Sequence, residues 1–177
     1  HGDVTGATWT QLPSGLWALS FDGVDDYVAW DSGIGGTFTQ FSCSFWIRRT
    51  GNFAALSHIL SRQSWTTGTL VLAFDGNDNL HFEVNGNATG SSKLSTFSIP
   101  STNTTWHHIA CVYDTADRTI KMYLDGALDS NQTWDTTANN IIFTDAWMGI
   151  WLSLSRDLAA EVALFRVFKD VLLSAFE

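Results

Sequence analysis

Asp22, Asp25 and Asp26 place three carboxylates within five residues, beside Gly23. Hard divalent cations collect several oxygen ligands of this kind, which makes the cluster the candidate calcium site of the chain; the plainer reading is that Asp22-Gly23 only turns the backbone. Asp75 to Asn79 reads Asp-Gly-Asn-Asp-Asn and begins as a calcium loop does, but the later glycine and the distal glutamate are missing, which leaves a hairpin turn. His107 and His108 are neighbours, and on a strand they point to opposite faces and cannot share one ion. Splitting a glycosidic bond takes two carboxyl groups that flank it. The glutamates are Glu83, Glu161 and Glu177, and none has an acidic residue two positions away. No catalytic residue is therefore assigned, and the chain is expected not to be an enzyme.

Binding is the chemistry that remains. Sugars present flat C–H faces that pack on aromatic rings, while their hydroxyls need a few polar partners. Trp65 and Trp134 each lie in a polar segment, the first near Arg62 and Gln63, the second near Asn131, Gln132 and Asp135. Both suit ligand binding, and both equally suit packing beneath their own loops or against a neighbouring subunit. Trp17 and Trp106 fall in strands and are assigned to the core, and Trp147 and Trp151 are placed together on one strand face. Asn87, Asn103 and Asn131 head Asn-X-Thr acceptors that matter only in a host that glycosylates secreted proteins.

The elements that hold these residues read as strands. From Trp106 to Gly126, Ile120, Met122 and Leu124 alternate with Lys121 and Tyr123, and the stretch before the Asp-Thr-Ala-Asp-Arg turn is apolar at nearly every position. That predicts a β-hairpin whose first strand is central and covered on both faces. Phe41, Cys43, Phe45 and Ile47 form another alternating set, with Trp46 on the opposite side. Further strands are expected at Leu16 to Phe21, Tyr27 to Trp30, Ser57 to Arg62, Thr69 to Phe74, Leu80 to Val84, Ile141 to Phe143, Trp147 to Trp151 and Glu161 to Phe168. Asn85 to Ser101 and Asp129 to Asn140 are polar and read as surface loops. About a dozen short strands with turns between them mean an all-β, two-sheet antiparallel sandwich.

The 177 residues suit one domain spanning 1–177, and a start at His1 without Met points to a processed form or a piece of a longer chain. A net charge of −9 argues against nucleic acid, and no apolar run is long enough for membrane insertion. Charged residues make up only 15% against roughly 25% in an ordinary soluble domain, while nine Trp and twelve Phe are present. Low charge with abundant aromatics suits surfaces that other protein subunits cover, in a homo-oligomer or a larger assembly.

The segments Leu19 to Val28 (LSFDGVDDYV), Phe41 to Arg49, Ser57 to Arg62, Trp106 to Asp114, Met122 to Gly126 and Ala160 to Phe165 occur in the order found in laminin G-like, concanavalin A-like jelly-roll domains, which the chain resembles over nearly its whole length. The resemblance implies a jelly roll in an extracellular, cell-surface or virion-surface setting, and a non-catalytic recognition module that binds a glycan or glycoprotein through loop residues. It also implies that relatives often bind calcium, and that Cys43 and Cys111 lie on strands which pentraxins join by a disulfide; two buried thiols are the alternative. Relatives that hydrolyse glycans carry acidic residues alternating along one strand, and Ala160 stands where many members have Asp. The alternative function is a structural subunit of a virion, fibre or cell-surface filament that uses the same sandwich for assembly.

Overall fold

A computed structural model describes residues 2–30, 34, 36–52, 56–84, 92–133, 139–151 and 156–173. Its strands are β1 (Asp3–Thr5), β2 (Thr8–Gln11), β3 (Trp17–Asp22), β4 (Tyr27–Trp30), β5 (Gly36–Phe38), β6 (Gln40–Arg49), β7 (Leu56–Ser61), β8 (Leu70–Asp75), β9 (Asn79–Val84), β10 (Ser92–Ser98), β11 (His107–Asp114), β12 (Thr119–Leu124), β13 (Ala127–Thr133), β14 (Ile141–Phe143), β15 (Ala146–Met148) and β16 (Ala159–Lys169). They form two seven-stranded sheets, in the orders β1-β4-β15-β7-β8-β9-β10 and β13-β12-β11-β6-β16-β3-β2, with β5 and β14 as a separate pair. This is the all-β antiparallel sandwich that the strand pattern predicts.

The two sheets meet over the alternating apolar sets. Phe41, Cys43, Phe45 and Ile47 of β6 pack with Ile109, Cys111 and Tyr113 of β11 against Leu72, Phe74, Leu80 and Phe82 of the facing sheet. Trp46 lies on the opposite side of β6 and is exposed. The predicted hairpin is β11–β12, and β11 is central, between β12 and β6. Its outward residues Ala110 and Val112 are buried with Tyr123 beneath Leu173, so the strand is covered on both faces.

Several stretches differ from the sequence reading, and β1, β2 and β5 fall where it expects no strand. The polar stretches read as loops contribute β10 and β13, each at the edge of its sheet. An edge strand outside the core needs no apolar face, which removes the period-two signal. The Asp125-Gly126 turn, with φ of 50° and 82°, joins β12 to β13 as a tight two-residue hairpin. Asp129 of β13 accepts backbone N–H groups from Thr96 (2.8 Å) and Phe97 (3.1 Å) of β10, tying the two edges together. The strand expected over Trp147 to Trp151 stops at Met148, because Gly149 (φ 95°) turns the chain; a Cβ there would meet the Phe21 ring at 2.6 Å.

Arg49, at the end of β6 and 2% exposed, crosses from one sheet to the other. Its Nη1 donates to Asp78 Oδ1 and to the Ile99 carbonyl, each at 2.5 Å, and its Nε donates to the Gly51 carbonyl at 3.2 Å. A guanidinium out of water is tolerated only when its donors are matched, and here they are. Arg49→Ala is expected to cost about 3 kcal/mol, the lower end for breaking a buried pair because Asp78 keeps some solvent. Denaturant melts of the two proteins measure it, and an unchanged midpoint would show the tie to be dispensable.

Candidate functional site

On the outer face of the first sheet the register aligns Trp147, Ser61, Val71 and Glu83 in one row and His58, Ala73 and His81 in the next. These side chains point outward because their strand neighbours Leu60, Leu70, Leu72, Leu80 and Phe82 fill the core. Small residues thus form the middle of the face, with aromatic and ionisable groups at its sides. Trp151, beyond the Gly149 turn, packs on Val71 and Ala73. The Leu158 N–H donates to the Gly149 carbonyl at 2.8 Å, and the His58 N–H donates to the Arg156 carbonyl at 3.2 Å, so this segment closes on itself against β7.

Four side chains gather there. The Trp151 ring centroid lies 4.9 Å from His58, edge-on, and 5.9 Å from Trp65, and the Arg156 guanidinium lies 5.9 Å over it. Trp65 is 51% exposed. Arg62, expected beside Trp65, bonds Asp145 through Nε at 2.7 Å and Thr66 through Nη1 at 3.2 Å, while the Gln63 amide donates to the Ile150 carbonyl at 3.0 Å. These bonds lash the Trp65 loop to the segment that carries Trp151. Asn131 stands in β13 of the other sheet, and its side chain lies outside the described residues, as do Trp134 and Asp135.

Beneath the rings the face is polar and unsatisfied. His58 is fully buried, and neither Nδ1 nor Nε2 has a hydrogen-bond partner; the same holds for Ser61 Oγ. A buried polar atom without a partner costs about 1–3 kcal/mol, so two such side chains on one face are not ordinary packing. Burial first, then the charges of Arg156 and His81, lowers the His58 pKa to about 3, and the ring is neutral at physiological pH.

The aspartate cluster also comes together. Asp22, Asp25 and Asp26 each offer a carboxylate oxygen, and these lie within 4.8 Å of one another. Asp26 accepts the Asp22 N–H at 2.8 Å and Asp22 accepts the Val24 N–H at 2.8 Å, so the turn reading also holds. Burial, with the charges of Asp22 and Asp25 adding to it, raises the Asp26 pKa, and the same influences raise that of Asp157, whose buried Oδ1 has no partner. Three like charges in an oxygen-only donor set match a hard cation.

Cys43 and Cys111 are direct register partners on β6 and β11, both buried and both free thiols in this structure, and burial with the neighbouring Cys43 raises the Cys111 pKa. The Cα spacing of such a pair, about 4.5–5.5 Å, is within disulfide range.

Sequence reasoning missed an apolar cleft of about 440 Å³ at the open edge between the sheets, lined by Trp9 and Trp17 on one side and Trp30, Val28 and Val4 on the other. Trp17, assigned to the core, is 52% exposed, and Trp9 is 61% exposed. Trp17 does share the inward face with Leu19 and Phe21, but it starts its strand where the sandwich gapes. Leu164 lines this cleft and also a shallower depression beside Trp46 and Trp106.

Two seven-stranded antiparallel sheets packed face to face define a jelly-roll sandwich. The chain belongs to the concanavalin A-like lectin/glucanases superfamily, whose family profile matches residues 22–175. Among solved structures it is similar to domain 4 of the extracellular GH43 arabinanase of Geobacillus stearothermophilus, solved with arabinotriose, at 16% identity and a TM-score of 0.72 over 97% of this chain and 84% of that one. It is also similar to the botulinum neurotoxin serotype G binding domain, at 14% identity and a TM-score of 0.72 over 99% of this chain, which spans 44% of that domain. No curated protein sequence matches it.

Because the folded-state pKa of His58 lies below its unfolded value of 6.5, the unfolded chain takes up the proton first, and stability present above that pH drains away as pH falls toward 3. Between pH 7 and pH 4.5, wild type is expected to lose about 2–3 kcal/mol that His58→Gln does not. Urea melts at the two pH values read the difference, and equal losses would place the ring in contact with water.

Proposed function

We propose that the chain is a non-catalytic carbohydrate-binding module that acts outside the cell. The observation that carries this reading is Trp65, a half-exposed indole held beside Trp151, whose ring also carries Arg156 and packs edge-on to the unsatisfied His58. An exposed ring supplies the stacking surface, and polar groups around it supply orientation. The arabinanase domain solved with arabinotriose supports the reading. Glu83 faces His81 of its own strand at 3.2 Å and Glu161 of β16 accepts from Arg48 Nε of β6 at 2.7 Å, so each of these two glutamates already has a partner, which supports binding without hydrolysis. On a glycan array Trp65→Ala is expected to weaken the bound glycan about tenfold. A glycan held with unchanged affinity puts the site elsewhere, and release of reducing ends from a β-glucan panel, lost in Glu83→Gln, would make the protein an enzyme.

Calcium at Asp22, Asp25 and Asp26 is part of the proposal, with Asp157 beside them. Raised carboxylate pKa values mean that the charged forms cost stability above the ordinary carboxylate range, and a divalent cation cancels that cost. Millimolar calcium is expected to raise the melting temperature at pH 7, to do less as the pH falls through the carboxylate range, and to do nothing to Asp25→Asn. Identical melting with calcium and with chelator would reduce the cluster to a turn.

The second reading, a structural subunit, is favoured by the apolar rim of Trp9, Trp17, Leu16, Leu164 and Trp46, all exposed. Such a patch marks contact surfaces between proteins. Light scattering behind size exclusion tests it: an oligomer that Trp9→Ser with Trp17→Ser dissociates supports assembly, and a clean monomer at high concentration removes it.

A further inference from the structure

The proposed sugar surface holds a cation, Arg156, with no ion pair among the described residues. Arg62 is engaged by Asp145 and His81 faces Glu83, but no carboxylate among the described residues pairs with Arg156. Arg156 is nonetheless fixed in place. Its carbonyl accepts the His58 N–H at 3.2 Å, and its guanidinium lies 5.9 Å from the Trp151 ring. Asp157, the next residue, makes no ion pair with it, and its buried Oδ1 has no hydrogen-bond partner. The partly buried Arg156 therefore stands without an ion pair among the described residues, over the Trp151 ring that Trp65 also approaches, on the face where His58 and Ser61 have no hydrogen-bond partner.

We infer, resting on the carbohydrate reading above, that this surface selects a sugar that carries a carboxylate. The ring packs on Trp65, and the acid group pairs with Arg156 across the Trp151 ring that both of them flank. A planar guanidinium offers two parallel N–H donors to a carboxylate, a match that a neutral sugar cannot make. Net charge sets the number of acid groups. A chain at −9 repels a polyanion, whereas a single acid group beside Arg156 sees little of the distant charge, which physiological salt screens beyond about 8 Å. The ligand class is thus an otherwise neutral glycan that ends in one acidic sugar. Uronic and sialic acids share this chemistry.

Calorimetric titration decides, with oligosaccharides ending in glucuronic acid, the same ending in sialic acid, and the methyl ester of each. The free acid is expected to bind about tenfold tighter than its ester, the gap closing in Arg156→Gln with ester affinity unchanged. Trp65→Ala is expected to weaken acid and ester alike. A preference confined to one acid names the source. Acid and ester bound equally, or an Arg156→Gln loss that is the same for both, overturns the inference and leaves the carbohydrate reading standing. No binding by any of the four, with a silent glycan array, overturns both.

Discussion

Arg49 is the point at which the two layers of the sandwich are made one. Its backbone belongs to β6 of the second sheet, while its guanidinium bonds Asp78 in the β8–β9 turn of the first and the Ile99 carbonyl just after β10. Apolar contact between two sheets is non-directional and tolerates sliding, whereas this fork accepts one arrangement. Fixing β8 and β9 against β6 also fixes the outer face of the first sheet, since His58, Ala73 and His81 share rows with those strands. That outer face therefore inherits its geometry from the Arg49–Asp78 pair on the far side of the same sheet.

Elements whose residues alternate between core and solvent were legible in the sequence. β6, with Phe41, Cys43, Phe45 and Ile47 inward and Trp46 outward, and the β11–β12 hairpin are examples. β10 and β13 were not legible, because an edge strand that meets its sheet along one side and water along the other can be built of Ser, Thr, Asn and Gln. Trp65 could be singled out from composition because it is aromatic in a polar segment. Arg156 and His58 could not. One follows a turn that Gly149 makes by packing against Phe21, and the other owes its isolation to a ring that arrives from about ninety positions away. Trp17 shows the limit of period: the alternation gives the correct face, but how far the sandwich gapes at that strand end depends on β1, β4 and the bend of β16.

That bend is a β-bulge between Ala163 and Arg166, with Leu164 at φ 51°. Before it β16 pairs with both β3 and β6, and beyond it with β6 alone. A non-glycine residue in the left-handed region costs of order 1 kcal/mol or more and persists where surroundings hold it. Here the result is a sheet that closes at one end and opens at the other, with apolar rings left at the opening.

The place of β16 also governs how the chain comes to be folded. It lies between β3 and β6, strands that precede it by more than a hundred positions, so the second sheet has a vacant central slot until that late segment is available. A polypeptide emerging from the ribosome presents both slot edges, with unpaired backbone groups and the apolar inner faces of β3 and β6, for most of its synthesis. Contacts this distant in sequence form slowly. β16 thus acts as a keystone, and its loss would remove the middle of a sheet rather than trim its margin.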